Sequence, residues 1–281
     1  MKIRRRDFLK LADKIGARAV YALYGGELGE LFAQAADGDV HVIWLQGASD
    51  MGCTISPFQG ADPDLVDVIT DFRLAVEFNP TLMTASGDVA LFSLTNALAG
   101  RTPIDVLIVE GAVPSGSFCT VGEISGKPVP LETWVRDLAG VAKQVVAVGT
   151  CAAFGVLPAA MPKPTNCRPV SDFVTKTPLI NIPGCPAHPD WVFLTLASLL
   201  SGSVPALDAR LRPRLFFHEE AHDESSLEDY YEREQFAAAR GKPGCLYHLG
   251  CRGEMTNADC PTRLPPSSPF FVRAADNDSI D

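Results

Sequence analysis

The sequence predicts an α/β fold, in which a doubly wound and mostly parallel sheet is followed by a smaller, irregular C-terminal region. Short, apolar, β-branched runs alternate with helical stretches, which is typical of buried parallel strands joined by right-handed crossovers. Each run is followed closely by a glycine, at which a strand can end. After about residue 205, proline, charge and short apolar pieces replace this alternation.

The predicted strands are apolar on both faces, as expected for strands that helices cover on both sides. Between and after them, amphipathic or apolar stretches predict helices over residues 131–142 and 191–200. In the C-terminal region, the dense acidic run over residues 219–234 is compatible with a polar helix. The strands are predicted at residues 41–46, 104–109, 144–148 and 179–182.

Composition and charge narrow the class of protein. The chain has 281 residues, of which 47% are hydrophobic, so it can bury a substantial core. Its formal net charge is −10, and no basic patch is visible beyond the first ten residues. Nucleic-acid binders usually carry such a patch, and we therefore exclude that class of partner.

The first 36 residues differ from the rest of the chain. Arg5 and Arg6, followed by an apolar pair, resemble a twin-arginine export signal, and residues 33–35 (AQA) have the form of a cleavage site. This reading predicts a protein in the periplasm or at the outer face of the cytoplasmic membrane. The alternative is an ordinary amphipathic helix on a cytoplasmic protein. No apolar run approaches the ~20 residues that span a bilayer, so we expect no direct transmembrane segment.

Candidate ligands follow the predicted strands at the points where the strands end. Asp50 and Cys53 follow the first run, Cys119 the second, Cys151 the third and Cys185 the fourth. Because ligands of open α/β sheets bind at the carboxyl ends of the strands, we expect these side chains to gather at one edge. A cage of thiolates is typical of an iron–sulfur cluster or of zinc, whereas any one cysteine alone could be a buried, inert thiol.

Segments of the first half resemble the small subunits of nickel–iron hydrogenases. They are residues 44–47 (WLQG), 149–151 (GTC) and 183–186 (PGCP). The resemblance implies a flavodoxin-like domain over residues 37–205 that binds a 4Fe-4S cluster close to the nickel–iron centre of a large subunit. It also implies the ligands of this proximal cluster, which are Asp50, Cys53, Cys151 and Cys185.

One ligand position departs from the family pattern, because the chain has Asp50 where the family has cysteine. A carboxylate is a harder ligand than a thiolate, but it can bind iron and would shift the reduction potential of the cluster. We favour Asp50 as the ligand. The alternatives are that Cys119 takes this place or that one iron stays open. Cys119 matches a non-ligand position of the family, and Cys167 is expected to be structural.

The second half, residues 206–281, resembles the cluster-binding C-terminal region of the same family. The resemblance implies that His222, Cys245 and Cys251 hold a second, distal 4Fe-4S cluster, with Ser225 at the position of a fourth ligand that is usually cysteine. Cys260 would be the first ligand of a medial 3Fe-4S or 4Fe-4S cluster, whose other two cysteines do not follow in this sequence. The sequence therefore predicts either a distal site completed by Ser225 or a partner group, or the proximal cluster alone.

The resemblance implies an oxidoreductase acting on hydrogen, in which this chain relays electrons and supplies no catalytic acid, base or nucleophile. Its partner would be the hydrogenase large subunit, and a membrane cytochrome or another redox protein would take the electrons onward. One alternative is the cluster subunit of a quinone reductase of the complex I type. Another is a zinc-bound binding module.

Overall fold

The structure is a computed structural model that describes most of the chain from residue 39 to residue 259. The segment with Arg5 and Arg6, the cysteine Cys260 and the tail over residues 272–281 lie outside the described residues, so the expectations for them stay predictions. The described ranges are residues 39–60, 65–71, 73–161, 164–200, 204–218, 220–223, 225–239 and 241–259.

A five-stranded parallel sheet forms the centre of the fold, and a two-stranded antiparallel hairpin lies beside it. The described strands are β1 (Val40–Gln46), β2 (Leu74–Phe78), β3 (Ile104–Glu110), β4 (Thr120–Ile124), β5 (Lys127–Pro130), β6 (Ala142–Val148) and β7 (Leu179–Ile182). In the large sheet they run in the order β2-β1-β3-β6-β7. This is the flavodoxin-like arrangement, whose switch point lies between β1 and β3.

Helices cover both faces of this sheet, as the doubly wound prediction requires. The described helices are α1 (Gly52–Ile55), α2 (Leu65–Asp71), α3 (Gly87–Leu98), α4 (Leu131–Val141), α5 (Thr150–Phe154), α6 (Val156–Ala159), α7 (Pro189–Leu200) and α8 (Glu228–Glu232). Side chains of α2 and α7, such as Val68 and Trp191, share one core with Trp44 and Ile108. Alternate strand residues face a second core, to which α3 and α4 contribute.

The predicted elements are largely confirmed, and the differences lie in the exposed or polar parts. The four predicted strands correspond to β1, β3, β6 and β7, and the two predicted helices to α4 and α7. Strand β2 and the hairpin β4–β5 were not predicted. The polar helix expected over residues 219–234 was wrong in extent, because the described part of this segment is helical only at Glu228–Glu232. Before this short helix the chain forms turns, which are stabilised by hydrogen bonds such as the one from Ser225 N–H to the His222 carbonyl.

The segment after residue 204 packs on α7. Phe217 contacts Trp191 with ring centroids 4.9 Å apart, and the Trp191 indole N–H donates to Asp259 Oδ1 at 2.7 Å. The N–H of Asn181 in β7 donates to the Leu211 carbonyl, which adds a backbone hydrogen bond between the two segments. A domain boundary at about residue 205 stays a prediction. Among the described residues, no helix is both long and apolar enough to span a bilayer.

Candidate metal centre

The turn after β1 brings Asp50 and Cys53 to the carboxyl edge of the sheet, at the switch point. Gly52 N–H donates to Asp50 Oδ1 at 2.9 Å, and Met51 has a left-handed backbone with φ of 63°. This tight turn starts α1, so that Cys53 is buried while Asp50 stays exposed. The hydroxyl of Ser56 donates to the Ala187 carbonyl at 2.6 Å, which ties the end of α1 to the segment that follows Cys185.

A buried carboxylate, which was not predicted from the sequence, fixes this turn through hydrogen bonds. Glu110, the last residue of β3, accepts the N–H of Cys53 at 3.0 Å on one oxygen. Its other oxygen accepts the indole N–H of Trp44 at 3.2 Å and the hydroxyl of Thr54. Burial raises the pKa of Glu110, although the three hydrogen bonds act in the opposite direction. The signal in the sequence was a charged residue at the end of a mostly apolar strand.

The turns after β6 and β7 are joined to each other and carry the next two cysteines. Gly149 N–H donates to the Ile182 carbonyl at 2.8 Å, and Thr150 N–H donates to the Gly184 carbonyl at 2.9 Å. In return, Gly184 N–H donates to Thr150 Oγ1 at 2.9 Å. This reciprocal bonding fixes the backbone from which Cys151 and Cys185 project.

Gly149 connects this pair of turns to Cys53. A Cβ atom on Gly149 would lie 2.5 Å from Cys53 Sγ, and φ at this residue is 91°. The Cys53 thiol therefore lies against the backbone of the turn that carries Cys151. Cys53 and Cys151 each interact electrostatically with both Asp50 and Cys185, so all four side chains lie at this edge of the sheet. Cys119 does not join them, because it packs against the second core, to which α3 and α4 contribute, and interacts with Cys167.

The surroundings of Cys53 and Cys151 disfavour the charged form of their thiols. Burial raises the pKa of Cys53, and the charge of Glu110 raises it further. Burial, together with the nearby Cys185 and Asp50, raises the pKa of Cys151 to about 11. A bound metal would displace the protons of Cys53 and Cys151 and compensate the crowded negative charge.

A second group of candidate ligands meets in the C-terminal region. His222 N–H donates to the Gly253 carbonyl at 3.1 Å, and Cys251 N–H donates to the Leu246 carbonyl at 3.2 Å. Burial raises the pKa of Cys251, and the neighbouring Cys245 raises it further. The ring of Tyr231 packs edge-on against His222 at 4.6 Å between centroids, and its phenol also interacts with Cys245.

Ser225 lies next to this group, but its polar atoms are engaged in a turn. Its N–H donates to the His222 carbonyl at 2.9 Å, and its hydroxyl accepts the N–H of Leu227 at 3.2 Å. Cys260, expected to begin a medial site, lies outside the described residues.

The donor sets fit iron–sulfur clusters in their chemistry. Across the described ranges, no group of at least three His, Cys, Asp or Glu side chains is arranged to hold a single metal ion. Cluster ligands are each bonded to a different iron, so they surround a larger space than the ligands of one ion do. The backbone of Gly149, where a side chain would press on Cys53 Sγ, lets the chain approach such a group closely. Soft thiolates and imidazole are suitable ligands.

Two family models match the chain. One is described as the 20 kDa subunit of NADH–ubiquinone oxidoreductase and matches residues 51–199. The other, the C-terminal region of NiFe and NiFeSe hydrogenase small subunits, matches residues 217–267.

Whole-chain relatives extend these matches. The chain is 34% identical to the periplasmic [NiFeSe] hydrogenase small subunit of Desulfomicrobium baculatum, over 94% of this chain and 89% of the relative. It is 33% identical to the periplasmic [NiFe] hydrogenase small subunit of Solidesulfovibrio fructosivorans, over 93% and 83%. A reduced, active Ni-Fe-Se hydrogenase structure from D. baculatum superimposes with a TM-score of 0.73 at 34% identity, covering 83% of this chain and 99% of that chain. The actinobacterial-type NiFe-hydrogenase of Ralstonia eutropha H16 gives 0.71 at 29%, covering 80% and 72%.

Proposed function

Because this chain belongs to the small-subunit family of nickel–iron hydrogenases, we propose that it relays electrons through iron–sulfur clusters between the large subunit and an external acceptor. Family membership makes it part of an oxidoreductase that acts on hydrogen and has a large-subunit partner. The observation that carries the relay is the meeting of Asp50, Cys53, Cys151 and Cys185 at the switch-point edge. A 4Fe-4S cluster supplies one-electron chemistry when it is bound there.

The chain's own residues hold and shield this proximal site. Cys53, Cys151 and Cys185 are the thiolate ligands and Asp50 is the oxygen ligand. Asp50 Oδ1 is bonded to Gly52 N–H, while its second oxygen makes no hydrogen bond to the described residues and is available to iron. Glu110 holds the Cys53 amide in place, which keeps this ligand at a fixed position.

An apolar rim around the site supports contact with the large subunit. Met51, Ile55 and Phe58 flank the Cys53 ligand and are each about half exposed. Leu157 and Met161, which follow Cys151 along the chain, are 75% and 80% exposed. Large apolar side chains so exposed mark interaction surfaces, and obligate interfaces are rich in them. The rim would exclude water where electrons enter.

The C-terminal group is the proposed distal site. His222, Cys245 and Cys251 provide one imidazole and two thiols, and a further oxygen donor completes the set. This site would pass electrons to a redox partner such as a membrane cytochrome. Two relatives are named periplasmic, which is consistent with a periplasmic location. Export through the twin-arginine signal is a further part of the proposal.

The match of residues 51–199 to the quinone-reductase family reflects a shared first half. The second half distinguishes the quinone-reductase family from the hydrogenase family, since residues 217–267 match the hydrogenase model. The whole-chain relatives above are also hydrogenase subunits.

The experiment that tests the proximal site is reduction of the heterodimer with hydrogen, followed by electron paramagnetic resonance. Asp50→Cys should preserve the cluster and lower its reduction potential, because a thiolate donates more strongly than a carboxylate. Asp50→Ala should make the cluster labile or convert it to a three-iron form. Cys119→Ser is the matched control and should change neither spectrum nor potential. Unchanged spectra in both Asp50 variants, with a changed spectrum in Cys119→Ser, would reverse the ligand assignment.

A further inference from the structure

A carboxylate that the family resemblance does not assign lies in the proposed distal site. Glu254 belongs to the short turn Gly253–Met255, three residues after Cys251. Its neighbour Gly253 accepts the N–H of His222 at 3.1 Å, and a Cβ on Gly253 would lie 3.2 Å from that nitrogen. The backbone of Glu254 therefore follows directly from a residue that touches His222.

Tyr231 connects the Glu254 side chain to His222. The Tyr231 hydroxyl donates to the Glu254 carboxylate, while the Tyr231 ring packs edge-on against His222 at 4.6 Å. The charges of Cys245 and Glu254 both act on the nearby Cys251 thiol. The Glu254 carboxylate is thus linked to His222 through Tyr231 and interacts with Cys251.

Ser225 is a weaker candidate for the remaining ligand. Its hydroxyl already accepts the Leu227 N–H, as serine commonly does in turns. A serine hydroxyl is also a poorer anionic donor to iron than a carboxylic acid, because hydroxyls give up their proton far less readily.

We infer that Glu254, and not Ser225, is the fourth ligand of the distal cluster, an inference that rests on the proposed electron-relay function. A carboxylate oxygen of Glu254 would bind the iron that a cysteine binds in the family pattern. The chain would then replace one thiolate by a carboxylate at each end of its relay, with Asp50 at the proximal end and Glu254 at the distal end.

The test uses the heterodimer, with iron content and electron paramagnetic resonance as readouts. Glu254→Gln keeps the size and an acceptor for Tyr231 but removes the anionic ligand, and it should lose about one to four irons per heterodimer. Ser225→Ala should keep the wild-type iron content and spectrum. Glu232→Gln removes a charge from an exposed glutamate of α8 and is the matched charge control, with no expected loss.

A double variant separates ligand loss from a folding defect. Ser225→Cys combined with Glu254→Gln restores the family's cysteine and should recover the iron lost in Glu254→Gln. Full iron in Glu254→Gln, together with loss in Ser225→Ala, would overturn the inference while leaving the relay intact. A wild-type heterodimer with a proximal cluster signal and no second cluster would overturn both the distal site and the role of Glu254. A wild type without any cluster would overturn the proposed function itself.

Discussion

Replacing Gly149 by alanine tests the close approach between the Cys151 turn and Cys53. The added Cβ would lie 2.5 Å from Cys53 Sγ, a distance at which one of the two groups must move. The sulfur has little freedom, because the Cys53 N–H is held by Glu110 and the side chain is buried. The φ of 91° adds a second penalty, since residues with a Cβ rarely adopt it.

The magnitude follows from these two effects. With φ of 91° and ψ of 155°, Gly149 lies in a backbone region that is essentially restricted to glycine and costs another residue about 1–3 kcal/mol. Overpacking a fixed site costs about 1–3 kcal/mol, so together the two effects predict that the free energy of unfolding falls by about 2–6 kcal/mol. Because the sulfur that moves is a proposed ligand, iron should be lost as well.

Two other glycines serve as controls. Gly100 has a φ of 68° with nothing within 4 Å of its Cβ position, so Gly100→Ala has only the backbone penalty. Gly140 lies in α4 without close neighbours, so Gly140→Ala should be neutral or slightly stabilising. The assay is thermal unfolding of the heterodimer with parallel iron analysis. If Gly149→Ala matches Gly100→Ala in melting temperature and keeps its iron, the proposed contact is absent.

Three further predictions concern the same edge. Glu110→Ala leaves the donors on Cys53 and Trp44 without their acceptor and should destabilise the heterodimer by about 3 kcal/mol or more; Glu110→Gln keeps an acceptor oxygen and should melt closer to wild type. Thr150→Val removes the acceptor of Gly184 N–H and should cost about 1–3 kcal/mol in chemical denaturation, whereas Thr150→Ser should not. Expressed without its partner, the chain should be poorly soluble or lack clusters, because the apolar rim is then in water. A soluble, cluster-loaded monomer on size-exclusion chromatography would contradict this.

The buried strands were predictable because the sequence carries their signal directly. Strands β1, β3, β6 and β7 are apolar on both faces, and helices cover them on both sides. Strand β2 forms an edge of the sheet and is only partly buried, so its five residues lack that pattern. The hairpin β4–β5 contains Pro128 and Pro130, and two prolines in so short a segment predict a loop and not a strand.

The acidic segment shows how tertiary contacts override local pattern. Its charge suggested a continuous polar helix, yet Tyr231 and Phe236 pack with His222, Tyr247 and His248. In one continuous helix, the positions of these aromatic side chains would be fixed by the helical repeat. The observed turns instead allow the rings to pack against one another next to His222.

The candidate site was partly predictable for a geometric reason. Positions after parallel strands converge at one edge, so the spacing of Cys53, Cys151 and Cys185 along the chain did not matter. Glu110 was missed because it ends a strand and has no ligand spacing of its own. Glu254 was missed because its place depends on the turn at Gly253 and on the Tyr231 contact, neither of which is a sequence pattern.

The proposed electron relay is tested by iron and acid-labile sulfide analysis of the purified heterodimer, together with electron paramagnetic resonance. After the iron of the nickel–iron centre is subtracted, we expect about eight irons and a similar amount of sulfide in two distinguishable clusters. About four would leave only the proximal cluster, and about eleven would reveal a medial cluster as well. A heterodimer that contains no acid-labile sulfide, and no iron beyond the nickel–iron centre, would refute the relay.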